Sequence, residues 1–206
     1  MHPLLKFSKT AYIQARNLKP FLSDYTNPND FLSRLVKSGD LIRLKNGFFL
    51  ISEKVKDDPV PYEQVSNLLY GPSYVSYEWA LSTYGLIPEG VYVVSCASSL
   101  KSKTYSTPVG EFHYIGLPHH RYSIGITQKE NCFGNYLIAT PEKALADLIH
   151  LKSHDLSGRD LLIDLIEGRR IEESDLKNLD KNHLYEIASR YKSKAVTSLS
   201  QVIGLL

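Results

Sequence analysis

Between residues 27 and 39 the hydrophobic positions recur at the three- and four-residue spacing of an amphipathic helix. They are Phe31, Leu32, Leu35 and Val36. Asn27 can accept a hydrogen bond from the first turn, and Pro28 suits the first helical position. Gly39 can adopt the left-handed conformation that commonly ends a helix. The pattern therefore predicts a helix between Asn27 and Gly39 with both ends marked.

The residues that follow alternate in the way that β-strands require. The hydrophobic members of one set of alternate positions are Ile42, Leu44, Phe49 and Ile51. Asn46-Gly47 lies between the two runs and predicts a two-residue turn with positive φ at both positions. Residues 41–51 are thus predicted to form a hairpin, with Arg43 and Lys45 projecting from one face near its tip.

A helix followed by a basic hairpin is the arrangement of a winged helix-turn-helix, in which the helix enters the major groove and the hairpin contacts the backbone. The helix residues that would read or anchor the groove are Asn29, Ser33, Arg34 and Lys37. The wing residues that would hold the backbone or minor groove are Arg43, Lys45 and Asn46. The earlier residues that would add phosphate contacts are Lys6, Arg16 and Lys19. The same pattern also fits a helix packed on a hairpin with a solvated surface, or a module that binds another protein.

Residues 3–22 have an apolar and a basic side, and we expect them to supply helices ahead of the recognition helix. Two prolines and mixed charge in residues 53–61 then mark a boundary. This boundary divides the chain into a winged-helix domain, residues 1–56, and a second domain, residues 57–206.

The second domain combines helical and strand patterns, so the predicted fold class is α+β. Short β-branched or alternating runs between residues 91 and 139 predict an antiparallel sheet of about four or five strands, with helices before it. Thr140 can cap a helix that begins with Pro141 and has Glu142 in its first turn. From about residue 155 the remainder is predicted to be a helical tail.

Charge is distributed unevenly along the chain, although its formal net charge is only +2. Residues 1–56 hold ten Lys or Arg and four Asp or Glu, a net charge of +6. Residues 57–206 hold 14 basic and 18 acidic residues, a net charge of −4. A basic first quarter ahead of an acidic remainder is typical of a nucleic-acid-binding head on a body with another role.

Several other classes of protein are disfavoured. No apolar run approaches the ~20 residues that span a bilayer, and the N-terminus lacks the apolar core of a signal peptide. We therefore expect a cytoplasmic protein with no membrane partner. Cys96 and Cys132 are far apart and form no CxxC pair, which predicts buried thiols and neither a disulfide nor a zinc site.

Catalytic and metal-binding patterns are also weak. His150 and His154 have a spacing that can bind a metal on a helix, but no third ligand is evident. No pattern in the sequence indicates a nucleophile, a base and an orienting group that would lie close together. We therefore predict no enzyme activity, no metal and no cofactor. An enzyme would be favoured instead by a cleft that gathers Lys101, Lys103, Glu111 and His113.

Four segments carry motifs that occur in the same order in one known family. Residues 34–51, RLVKSGDLIRLKNGFFLI, are similar to its recognition helix and wing, and residues 74–89, YVSYEWALSTYGLIPE, resemble its Ser-Ala-Leu helix. Residues 91–118 resemble its strand, basic turn and strand, and residues 139–151 resemble the helix after its sheet. Together they resemble the AbiEi antitoxins, the regulator halves of type IV toxin–antitoxin operons.

This resemblance implies a transcriptional repressor that binds double-stranded DNA at repeats in the promoter of its own operon. It also implies that the second domain counteracts a toxin of the nucleotidyltransferase type, directly or indirectly. One departure concerns the wing, which in the family commonly ends in Gly-x-Tyr, whereas here Phe48-Phe49 follow Gly47.

Overall fold

The computed structural model describes residues 10–18, 27–55 and 57–206, and its fold is mixed α+β. The fold contains a small sheet near the N-terminus and a larger sheet with helices in the remainder, which we call the body, residues 57–206. Lys6 and Lys19, which were predicted to contact phosphates, lie outside the described residues.

The small sheet has three antiparallel strands, Tyr12–Gln14 (β1), Leu41–Lys45 (β2) and Phe48–Ile51 (β3), in the order β1-β3-β2. Helix Ala15–Leu18 (α1) follows β1, and helix Pro28–Lys37 (α2) precedes β2. β3 is therefore the central strand, with hydrogen-bonded neighbours on both edges.

Helix α2 forms as its sequence predicts. The Asn27 side chain accepts a hydrogen bond from the backbone amide of Asn29, and Gly39 has a φ of +75° just past the last turn. Of the four side chains on its predicted apolar face, Phe31, Leu32 and Leu35 are buried, and Val36 is partly buried against the same cluster. The cap, the stop and the buried stripe are thus confirmed.

The expectation that residues 3–22 supply helices is wrong at Tyr12–Gln14, which form β1, whereas Ala15–Leu18 are helical. Ile13 lies opposite Phe49 in the register of β1 and β3, and both side chains join Phe31 in one apolar cluster. Pairing with β1 gives hydrogen-bond partners to backbone groups along the free edge of β3, and it also buries Ile13. A continuous helix over these residues would not provide those hydrogen bonds.

The larger sheet has six strands. They are Ser73–Val75 (β4), Val93–Ser98 (β5), Lys103–Thr107 (β6), Gly110–Gly116 (β7), Ile126–Asn131 (β8) and Gly134–Ala139 (β9). Their order is β6-β7-β5-β4-β9-β8. β5 runs parallel to β7, and β4 runs parallel to β9, whereas the other neighbouring pairs are antiparallel.

This topology corrects the prediction of an antiparallel sheet with four or five strands. The sequence pattern did not identify β4, a three-residue strand that pairs with both β5 and β9. Residues within the stretch where strands were predicted also include a short helix, His119–Tyr122 (α5). Parallel pairing joins segments that are distant in sequence, so local alternation cannot reveal it.

Helices cover the larger sheet and form the C-terminal part of the body. They are Tyr62–Leu69 (α3), Tyr77–Thr83 (α4), Pro141–Lys152 (α6), Gly158–Ile163 (α7), Glu173–Lys177 (α8), Lys181–Tyr191 (α9) and Lys194–Leu205 (α10). A π-helical turn, Asp164–Gly168, continues α7. Within residues 10–18, 27–55 and 57–206, no helix combines the length and the apolar character needed to cross a membrane.

The hairpin of β2 and β3 is buried on both faces. Its helix-side face, which carries Leu41, Phe49 and Ile51, packs against α2 in one apolar cluster. Its body-side face carries Leu44, Phe48 and Leu50, and these three side chains join the main core of the body. Helix α2 and the body therefore pack on opposite faces of the same hairpin.

Helix α6 carries a buried ion pair at the centre of the body. Thr140 caps the helix, as its sequence predicts, and the side chains of Lys143 and Asp147 are both 0% exposed and 2.6 Å apart. Ser76 and Tyr74 donate hydrogen bonds to the other carboxylate oxygen of Asp147, at 2.7 and 3.3 Å. Tyr191 contacts both charged groups. Burial lowers the pKa of Lys143, and the adjacent carboxylate of Asp147 opposes that shift.

A second polar contact joins α6 to the C-terminal helices. The Arg121 guanidinium donates to Nε2 of His150 over 2.7 Å and to the backbone oxygen of Tyr191 over 2.9 Å. Nδ1 of His150 lies 3.3 Å from the hydroxyl of Ser193. Because Nε2 accepts from a cation, the imidazole is neutral here, and burial together with Arg121 lowers the pKa of His150 below 6.5.

Asp147→Ala should lower the free energy of unfolding by about 3–5 kcal/mol, because it leaves the ammonium of Lys143 buried without a counter-charge. Urea unfolding followed by circular dichroism measures this loss. Asp155→Ala is the matched control, since that carboxylate is 87% exposed. A loss below about 1 kcal/mol for Asp147→Ala would contradict the structural role of the pair.

The pKa of His150 predicts a pH dependence of stability. As pH falls below 6.5, the unfolded chain takes up a proton at this residue before the folded chain does, so stability falls until the lower folded pKa is reached. His150→Gln should make the stability difference between about pH 7.5 and about pH 5.5 smaller. Urea unfolding midpoints at the two pH values measure this stability difference, and His119→Gln, at an exposed position, is the control. A difference in His150→Gln equal to that of the wild type would contradict the role of His150 in the pH dependence.

Candidate nucleic-acid interface

The predicted recognition residues lie on the outer side of α2. Asn29, Arg34 and Lys37 are exposed and Ser33 is partly exposed, whereas the opposite side of the helix packs on the small sheet. Asn29, Ser33 and Lys37 follow one another at intervals of four residues, so they form one stripe. The structure thus brings together the four helix residues that the sequence nominated.

The hairpin separates Arg43 from Lys45, which corrects the prediction that both project from one face. Arg43 lies opposite Phe49 on the helix-side face, where its guanidinium is 5.6 Å from the Phe49 ring centroid. Lys45 lies opposite Phe48 on the body-side face, with its ammonium 5.9 Å from that ring. A β-bulge between Arg43 and Lys45 inserts an extra residue and reverses the alternation.

The predicted turn is only partly correct. Gly47 has a φ of +73°, whereas Asn46 does not have the positive φ that the dipeptide predicted. The turn therefore departs from the type with two left-handed residues, and the adjacent bulge accommodates the different twist.

The ammonium of Lys45 is bound to the body. It donates to the backbone oxygen of Leu68 over 3.3 Å and also to the backbone oxygen of Leu69. These carbonyls belong to the last turn of α3, where backbone oxygens have no partner within the helix. Lys45 is partly buried, whereas Arg43 and Asn46 at the same tip are exposed. The position of Lys45 thus differs from the solvent-facing position that the sequence predicted.

Helix α1 brings a further cation to the hairpin tip. The backbone amide of Ala15 donates to the oxygen of Gly47 over 2.8 Å, which holds α1 against the turn. Arg16 is exposed, and it lines with Lys45 and Asn46 a cleft of about 320 Å³. Arg16 and Asn46 therefore lie near one another, as a phosphate-binding tip would require.

Charges at this surface are available for a ligand. Within the described parts of the chain, Arg16, Arg34, Lys37 and Arg43 form no ion pair with a carboxylate. The nearby Asp40 is buried and accepts a hydrogen bond from the Ser38 hydroxyl over 3.0 Å. Exposed guanidinium and ammonium groups can contact phosphates, and an exposed amide such as that of Asn29 can make a bidentate contact with adenine.

A different cleft lies in the body, on the face of the larger sheet. It has a volume of about 450 Å³ and contains Lys103 and His113, together with Ser95 and Lys152. His113 lies 3.0 Å from Glu111, but Glu111 and Lys101 do not line the cleft. The structure therefore brings together two of the four residues named for an enzyme.

The predicted cysteines and histidines occupy different environments. Cys96 is buried, and burial raises its pKa to about 12, whereas Cys132 is exposed, which corrects the expectation that both are buried. His150 is bound by Arg121, and His154 lies 3.2 Å from Asp155. Among the residues that the structure describes, no three His, Cys, Asp or Glu side chains are placed to share a metal ion.

Two features of the structure were not predicted. The contact of Lys45 with α3 depends on a bulge and on packing between distant segments, so no local signal indicates it. The buried Lys143–Asp147 pair did have a signal, because two opposite charges four residues apart are interspersed with Ala144, Leu145 and Leu148.

Compared with models of known protein families, the chain matches none. It also matches none of the curated proteins with which it was compared. The interface described above therefore rests on the geometry of the chain itself, and the resemblance of its four segments to AbiEi antitoxins stays a prediction.

Proposed function

We propose that residues 1–56 form a winged-helix head that binds double-stranded DNA, with α2 as the recognition helix and β2–β3 as the wing. The observation that carries this proposal is the placement of Arg43 on the hairpin face that α2 covers. The exposed stripe of α2 and the exposed guanidinium of Arg43 thus belong to the same side of the small sheet. A helix flanked by a cationic ribbon matches a major groove flanked by phosphates.

Each residue has a distinct role in this proposal. Asn29, Ser33 and Arg34 contact base edges from α2, and Lys37 anchors the end of the helix on a phosphate. Arg43 and Asn46 hold the neighbouring backbone or minor groove, and Arg16 adds a contact from α1. The sequence also assigns phosphate contacts to Lys6 and Lys19.

We further propose that the protein is an autorepressor and antitoxin that counteracts a nucleotidyltransferase-type toxin. Support comes from the four segments that resemble AbiEi antitoxins. Residues 34–51 span the end of α2 and the hairpin, and residues 74–89 span β4 and α4. Residues 91–118 span β5, β6 and β7, and residues 139–151 span most of α6. The segments thus include the proposed wing and the strands and helices at the centre of the body.

Arg43→Ala should weaken binding to all DNA sequences and reduce the slope of log K against log salt by about one, because one phosphate contact and its counterion are lost. Filter binding to the upstream region of its own gene, over a series of salt concentrations, measures both effects. Arg190→Ala, at an exposed position of α9, is the control. An unchanged slope in Arg43→Ala would argue against the wing.

Asn29→Ala should reduce the ability of the protein to distinguish its operator from other DNA sequences. If the amide makes a bidentate contact with a base, its loss should reduce the preference for the operator over a scrambled duplex by about 1–3 kcal/mol, with little change in salt dependence. Competition gel-shift assays measure this preference. Equal losses for both duplexes would assign Asn29 to the backbone instead of the bases.

The antitoxin proposal has an independent test in growth. Co-expression of this chain should restore growth to cells that express a nucleotidyltransferase encoded beside its gene. Asp147→Ala, which we expect to destabilise the body, should restore growth poorly. Absence of such a neighbouring gene, or failure of the wild-type chain to protect, would separate the DNA-binding proposal from the antitoxin proposal and leave only the first.

A further inference from the structure

We propose that Lys45 is a positioning residue that fixes the wing on the body, and that it does not contact DNA. This inference rests on the proposed DNA-binding function and changes the role that the sequence assigns to Lys45. It also means that the body, residues 57–206, sets the angle at which the wing meets the duplex.

The first support is the burial of the hairpin beneath Lys45. Phe48 is 2% exposed and Leu44 is 7% exposed, and both belong to the main core of the body. The Tyr12 ring packs edge-on against the Phe48 ring, with centroids 5.9 Å apart. The wing is therefore a packed layer with a defined orientation, not a ribbon that extends freely into solvent.

The second support is the chemistry of the contact between Lys45 and α3. The last turn of α3 has three carbonyls with side-chain donors: Tyr114 donates to Ser66 over 2.7 Å, and Lys45 donates to Leu68 and Leu69. A helix C-terminus carries partial negative charge, so an ammonium is a well-matched cap there. Moving this ammonium to a phosphate would leave the carbonyls of Leu68 and Leu69 without it.

The third support is that the two cations at the tip of the hairpin lie on opposite faces and have different surroundings. The bulge places Arg43 on the helix-side face and Lys45 on the body-side face. Arg43 and Asn46 are exposed, whereas Lys45 is partly buried against α3. One cation is thus available to a duplex, and the other holds the strand from which the first projects.

The test compares Lys45→Met with Arg43→Ala in the full-length chain. Methionine keeps the aliphatic part of the side chain but removes the ammonium, so the core beneath the hairpin should stay packed while the tip of the wing loses its anchor on α3. We expect operator binding to weaken about tenfold, because the duplex must then hold the tip in place without the charged hydrogen bonds to α3. The salt slope should equal that of the wild type, whereas Arg43→Ala should lower it by about one.

Two further variants separate positioning from stability. Lys45→Arg, which keeps a donor and a positive charge, should recover most of the affinity. Val202→Ala trims the core in α10, far from the hairpin in sequence, and should lower the unfolding midpoint while fully folded protein binds DNA normally. Binding is measured at temperatures where circular dichroism shows every variant to be folded.

The outcomes are distinguishable. If Lys45→Met lowers the salt slope by about one, Lys45 contacts a phosphate directly and the inference is overturned. If Lys45→Met binds as the wild type does while Arg43→Ala is impaired, the wing needs no such anchor and the inference is also overturned. If the wild-type chain shows no affinity for the operator, the proposed DNA-binding function itself fails.

Discussion

The central constraint in this fold is that one hairpin must satisfy two hydrophobic surfaces. β3 is buried along its whole length, because successive side chains point alternately to α2 and to the core of the body. A strand that is buried on both faces cannot shift by one residue without exchanging every contact. The register of the hairpin therefore determines at once how α2 is seated and how the head is joined to the body.

The same constraint decides what happens to charge at the tip. With both faces covered along the strands, a cation can remain in solvent only at the end of the hairpin or beyond the edge of α2. The β-bulge gives one cation to each face, Arg43 to the solvent beside α2 and Lys45 to the carbonyl end of α3. One of the ten Lys and Arg residues among the first 56, Lys45, therefore lies against the body instead of beside α2.

The body also contains charged groups that are removed from solvent and need partners inside the protein. Lys143 and Asp147 have no contact with solvent, and Tyr74 in β4, Ser76 at the start of α4 and Tyr191 at the end of α9 supply hydrogen-bonding partners for the carboxylate. Removing either charge would leave the other buried without a counter-charge, so arrangements that separate the two are disfavoured. The contacts of this pair thus link the sheet and the C-terminal helices around α6.

Most of the local elements can be predicted from the residues that form them. The caps of α2 and α6, the stop at Gly39, the existence of the hairpin and the helices of the C-terminal tail all follow from spacing and from terminal residues, which act within a few positions along the chain. Other features could be seen only in the folded chain: the pairing of β1 with β3, the parallel pairs β5–β7 and β4–β9, and the side of the hairpin on which Lys45 lies. Each of these depends on contacts between distant segments that compete for the same buried surface, and no short window of residues contains both partners.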